Sequence, residues 1–202
     1  MTVVTQGSIS STFAGFDIGA TGSSFTMSNG TIAIQRATSN ASDYLNLATT
    51  NNVTGGTLQI GNASTTASQN IKIRSTTPVY NLNVNASGTP TAQLITSALS
   101  VLNDISISTG STLNANGIAI NVGGNWNNSG FFTPGAGTVT LNGTTQSITG
   151  NTTFNNLSLS GSGTKTFSSQ GIVSSTLAIG SGVVVNLGTL TTHTAGRSEE
   201  RR

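Results

Sequence analysis

Gly56-Thr57-Leu58-Gln59-Ile60-Gly61 and, thirteen residues further on, Gln69-Asn70-Ile71-Lys72-Ile73-Arg74 share one form, a pair of aliphatic residues flanking one polar residue. That alternation is the signature of a half-buried strand, because successive side chains on a strand point to opposite faces. The same pair stands thirteen and twenty-six residues upstream, at Leu45/Leu47 and Ile32/Ile34, and Val84 extends the series downstream. It resumes at Ile105/Ile107 and Ile118/Ile120, then loosens through Val139/Leu141, Leu157/Leu159, Leu177/Ile179 and Val183/Val185. Turn formers separate the pairs, among them Asn29-Gly30, Gly55-Gly56, Gly61-Asn62, Gly123-Gly124, Asn142-Gly143 and Gly161-Ser162-Gly163. Such residues reach positive φ easily or bond their own backbone. No segment shows a helical period, and Thr, Ser, Asn and Gly are indifferent or poor helix formers. The expectation is an all-β chain.

A longer period overlies the short one. Val79-Tyr80-Asn81-Leu82-Asn83-Val84 is similar to Phe154-Asn155-Asn156-Leu157-Ser158-Leu159, and Asp104-Ile105-Ser106-Ile107 to Thr176-Leu177-Ala178-Ile179. Gly56-Thr57-Leu58-Gln59-Ile60 likewise matches Gly137-Thr138-Val139-Thr140-Leu141. Two architectures accommodate many short strands: a tandem Ig-like β-sandwich of modules about 75 residues long, or a single-stranded parallel β-helix, a β-solenoid of short repeats. Stacked coils offer the same slot again and again and so favour the same aliphatic pair, whereas each sandwich strand has its own surroundings. The recurrence therefore points to the solenoid, with coils of about 26–39 residues built from two or three of the short units. The aliphatic pairs would face inward, and Ala33, Asn46, Gln59, Lys72, Asn83, Ser106, Ala119, Thr140, Ser158 and Ala178 outward.

The composition limits the chemistry. Thr, Ser, Gly and Asn make up 110 of the 202 residues, while seven basic and five acidic side chains are all the charge there is. The isoelectric point is near 9.5, but the formal charge is only +2. Duplex binding calls for clustered Lys and Arg, so no nucleic-acid partner is expected. No apolar run approaches the roughly 20 residues of a membrane span. Met1–Gly7 lacks the basic start and apolar stretch of a secretory signal, which suggests a fragment of a longer chain. Cysteine is absent, which removes disulfides and thiolate metal sites from consideration.

The few chemistry-bearing residues read mainly as structural. Asp17, Asp43 and Asp104 are far apart in sequence and each stands where a strand begins or a turn closes. Lys72 and Arg74 alternate with Ile71 and Ile73 and should share an outer face, as a small basic spot or as edge protection. Arg36 and Lys165 complete the cations of the body. His193 is the only histidine, with no second His or nearby Asp from which a triad or metal site could be assembled. Trp126, in Gly124-Asn125-Trp126-Asn127-Asn128 with Phe131 and Phe132 close behind, would cover a coil edge or stack on a sugar. No catalytic, cofactor-binding or metal residue is assigned, and no cofactor is expected.

Tyr44-Leu45-Asn46, Val53-Thr54-Gly55-Gly56-Thr57-Leu58-Gln59-Ile60-Gly61, Thr77-Pro78-Val79-Tyr80-Asn81-Leu82, Gly123-Gly124-Asn125-Trp126 and Gly137-Thr138-Val139-Thr140-Leu141-Asn142-Gly143 together resemble the repetitive regions of large Bacteroidetes surface proteins. The resemblance covers roughly residues 25–190. It implies a β-solenoid adhesin carried by the type IX secretion route, hence an extracellular or cell-surface location, and brings no catalytic residues. The expectation is a non-enzymatic repeat segment, residues 1–190, that extends and displays a binding surface. Residues 191–202 form a polar, charged tail, disordered or non-native. Surface glycans, other surface proteins and adjacent repeats of the parent chain would be its partners. The alternative is a β-helix that binds or processes polysaccharide, with Lys72, Arg74 or Lys165 converging on an acid.

Overall fold

A computed structural model describes residues 2–5, 14–189 and 193–198. Its described residues form short strands and turns without a helix, and every strand pairing is parallel. Antiparallel hairpins, which a sandwich is built from, do not occur among them, so the Ig-like alternative is set aside. The chain is a parallel β-solenoid.

A full lap lays one strand on each of three faces; the laps that start at Thr57–Ile60 and at Gly163–Phe167 hold one strand fewer. The first face is a sheet of nine strands, running from Thr2–Thr5 through Thr31–Ile34, Thr57–Ile60, Asn81–Val84, Ile105–Ile107, Trp126–Asn128, Gln146–Thr149 and Gly163–Phe167 to Val183–Asn186. A six-stranded sheet from Phe16–Ile18 to Phe131–Thr133 forms the second. The third starts as the pair Ser24–Met27 and Thr50–Val53 and continues as a seven-stranded sheet. Strands two or three apart in sequence are therefore neighbours in space. Backbone bonds run along the stack, as in Leu82 N–H to Asp104 O (3.0 Å) and Ile105 N–H to Asn125 O (2.9 Å).

The laps shorten along the chain. On the first face Ile32 lies against Leu58, 26 residues on, and Ile105 against Trp126, 21 on; Ile148 lies against Phe167, only 19 on. Only the longest of these fits the expected coil size. The thirteen-residue spacing is half of a 26-residue lap, since Ile32 and Leu58 sit on the first face while Ile71, midway between Leu58 and Val84, sits on the second. The longer period has no structural counterpart: Leu82 and Ile105 are on the first face, but their sequence matches Leu157 and Leu177 are on the third.

Inside, one continuous apolar column fills the stack, with Ile34, Ile60, Val84, Ile105, Leu141 and Leu159 all essentially inaccessible. Part of it is an aromatic cluster of Trp126, Phe132 and Phe154, with ring centroids 4.8–5.9 Å apart. One pair is inverted relative to expectation. On the strand Tyr44–Asn46 the inward residues are Tyr44 and Asn46, and Leu45 turns outward. Asn46 is tolerated there because its amide donates to the Tyr44 hydroxyl (3.1 Å) and its oxygen accepts from Ala48 N–H (3.3 Å). Ala33, expected outward, is also buried. Further on, the inward pair is Ile120/Val122 rather than Ile118/Ile120. At the C-terminal end Ile179 is exposed, because the last laps have a neighbour on one side only, and Val184 is exposed because it faces outward between Val183 and Val185. Within the expected tail, Thr194–Ser198 forms a strand beside Gly171–Ile179; residues 190–192 and 199–202 lie outside the described residues.

Candidate functional site

The first face presents two outward columns of small polar residues. Thr57 registers with Asn81 in one column; in the other, Gln59, Asn83, Ser106, Asn127 and Thr149 follow in direct register. Adjacent strands are about 4.8 Å apart, so this is a regular grid of amides and hydroxyls. A shallow polar recess opens in it, lined by Thr57, Asn81, Asn83, Asn103, Asp104 and Ser106. Its floor is fixed by bonds between laps: Asn81 Oδ1 accepts from Asn103 Nδ2 (2.9 Å) and from Asp104 N–H (3.3 Å), and Asn81 Nδ2 donates to Gly56 O (3.1 Å). Asp104 Oδ1 accepts the Asn125 N–H at 2.6 Å, so the acid does close a turn onto the next lap.

Asp43 is fully buried and its carboxylate is consumed. Oδ1 accepts from Thr38 N–H (2.6 Å) and the Thr38 hydroxyl (2.8 Å), and Oδ2 accepts from Lys72 N–H (2.6 Å). The Lys72 ammonium bends over the same loop to donate to the carbonyls of Asn40 and Thr38. Lys72 and Asp43 are thus neighbours, but their polar atoms converge on the loop between Gln35 and Asp43 and leave no carboxylate oxygen open to a substrate. Arg74 shares the second face and lies in register beside Leu45; its Nε is buried without a partner. Asp17 is exposed on the same sheet.

Lys165 is not a surface cation. It points into the stack, completely buried, and donates to Gln146 Oε1 (2.6 Å), Gly143 O (2.5 Å) and Thr144 O (3.1 Å). Three donors meet three acceptors, which is why an ammonium survives there. Desolvation lowers its pKa from the ordinary lysine value. Gln146, directly opposite on the adjoining strand, is equally buried and spends its own amide on Val122 O (3.0 Å) and Gly124 O. Together they replace an aliphatic layer by a polar one.

Trp126 lies on a strand rather than in a turn and is wholly inside; its indole N–H donates to Thr152 Oγ1 (3.2 Å). A sugar cannot stack on it. Phe132 is in the same cluster, and Phe131 alone of the three turns outward, 63 % exposed. His193 accepts the Gly171 N–H at Nδ1 (3.2 Å), bonds Leu187 O through Nε2 (3.1 Å) and sits edge-on to Phe167. It clamps the last described strand to the stack. Among the described residues no three His, Asp or Glu side chains gather as metal ligands. Sequence reasoning missed the buried Gln146–Lys165 layer and the recess; direct register, invisible in a linear chain, makes both.

No family model, no curated protein and no solved structure matches this chain.

Proposed function

We propose that the chain is a non-catalytic segment of an extracellular adhesin, of the kind its repeats resemble in Bacteroidetes surface proteins, and that it acts as a spacer that carries a polar face away from the cell. The observation that supports this reading is the use to which the charged groups are put: Asp43, Lys72 and Lys165 are spent on loop and turn backbone, and Asp104 ties one lap to the next. What remains outside is mostly neutral hydroxyl and amide, a surface that resists nonspecific ionic contact. A ladder of parallel strands transmits load from lap to lap through backbone bonds, which suits a stalk.

The experiment is surface accessibility in the source organism. Antibody raised against the folded chain should label intact cells, and protease added outside should remove the label. Labelling only after lysis would overturn the proposal. No helix of the described residues is long and apolar enough to cross a membrane.

A further inference from the structure

The recess on the first face has an inventory that a spacer does not require. Asp104 Oδ2, the Asn83 amide, the Ser106 hydroxyl and the Thr57 hydroxyl line it and make no hydrogen bond to the protein among the described residues. Asn83 and Ser106 are register partners on adjoining strands, about 4.8 Å apart, and Asp104 stands two residues from Ser106 on the same face, about 6.6 Å away. Their backbones are held by the sheet, and the Asn81 side chain, itself bonded by Asn103, accepts the Asp104 N–H, so little order remains to be imposed on binding.

We propose that this recess is a binding subsite for a neutral saccharide. A carboxylate oxygen accepts from sugar hydroxyls, an amide both donates and accepts, and two side-chain hydroxyls complete a set that matches adjacent sugar hydroxyls. Charge decides against other ligands of similar size. The only charged group in the recess is Asp104, while Lys72 and Arg74 are on the second face, so uronates and phosphates would meet repulsion without a cation to offset it. A divalent ion would find a single carboxylate, with one oxygen already engaged by Asn125 N–H. The absence of an aromatic platform in the recess makes the site a weak one that gains strength when repeated along a stalk.

The test is an amide NMR titration of the whole chain with cellohexaose and mannohexaose, with hexagalacturonate and calcium chloride as separate arms. At least one neutral hexasaccharide should move the resonances of Asn81–Val84 and Asn103–Ile107 in a saturable way. Asp104→Asn and Asn83→Ala should each weaken that binding about tenfold. Both variants can fold: Asn at 104 retains an oxygen for Asn125 N–H, and Asn83 has no internal bond to lose, which unchanged thermal unfolding would confirm. Shifts absent with both neutral sugars, shifts confined to another face, binding indifferent to both substitutions, or a response to hexagalacturonate or calcium alone would overturn the assignment. The spacer reading does not require a ligand in this recess and stands or falls on surface labelling of intact cells, so the two fail separately.

Discussion

A methyl group added at Gly150 tests whether laps rest on one another as described. Gly150 has φ +79°, and a Cβ built there would lie 1.6 Å from the Asn128 carbonyl oxygen, a residue of the lap beneath. Gly182 has nearly the same backbone, φ +77°, but nothing within 4 Å of its Cβ position. Both alanine variants bear the cost of a left-handed residue, about 1–2 kcal/mol. Only Gly150→Ala must also push back Asn128, whose side chain donates to Asn151 O (3.2 Å) and Thr152 Oγ1 (3.0 Å) and accepts Gly130 N–H (3.1 Å). Two or three of these bonds would be lost at about 1 kcal/mol each. The expected destabilisation is therefore about 3–5 kcal/mol for Gly150→Ala against about 1–2 kcal/mol for Gly182→Ala. Urea unfolding followed by Trp126 fluorescence measures both on one probe. Equal losses, within about 0.5 kcal/mol, would refute the reasoning, since the contact between laps is the only difference invoked.

Three further outcomes are expected. The emission of Trp126, the sole tryptophan, should be blue-shifted and shielded from acrylamide until the chain unfolds, and Trp126→Ala should cost about 3–5 kcal/mol; ready quenching in the native state would place the ring outside. Asp43→Asn turns an amide N–H toward the Lys72 N–H and gives up charge-assisted bonds to Thr38, for a loss of about 3–5 kcal/mol with fast hydrogen exchange at Lys72 and in residues 35–43; a loss under about 1 kcal/mol would show that the carboxylate is dispensable. Burial pushes the Tyr44 hydroxyl up to about 12, against bonds from Asn46 and Ser75 that lower it. The unfolded chain ionises at about pH 10 while the folded chain still holds its proton, so stability falls between pH 10 and about 12 by about 2–3 kcal/mol. Tyr44→Phe should flatten that fall, and a slope identical to that of the parent chain would remove Tyr44 as its source.

The solenoid was legible because a stacked lap repeats one environment. The pairs Leu58/Ile60 and Ile71/Ile73 read correctly as inward from alternation alone. Leu45/Leu47 misled for a physical reason: Asp43 anchors the incoming loop, and the register that follows puts Tyr44 and Asn46 inside, where Asn46 finds partners. Lys165 was equally opaque, since a cation reads as surface until three carbonyl oxygens are seen to surround it. Trp126 sits among Asn and Gly, and only the approach of Phe132 and Phe154 from other strands of the stack makes an apolar slot for it. Phrases that match across faces, such as Leu82 with Leu157, record the similar demands of any strand in the stack rather than equivalent positions. The recess could not be read either, because Asn83 and Ser106 are brought together by register and by nothing in their local sequence.

The most direct measurement is a distance along the stack. Gln59, Asn83, Ser106, Asn127 and Thr149 are successive register partners on the outer side of the first face, which sets Gln59 and Thr149 four strand spacings apart. Cysteine is absent from the chain, so spin labels can be placed at these two positions alone. Pulsed electron resonance should give a single distribution centred near 19 Å, broadened by the label linkers. A distribution centred beyond about 30 Å, or one with two separate maxima, would contradict a chain wound in parallel laps of one strand per face.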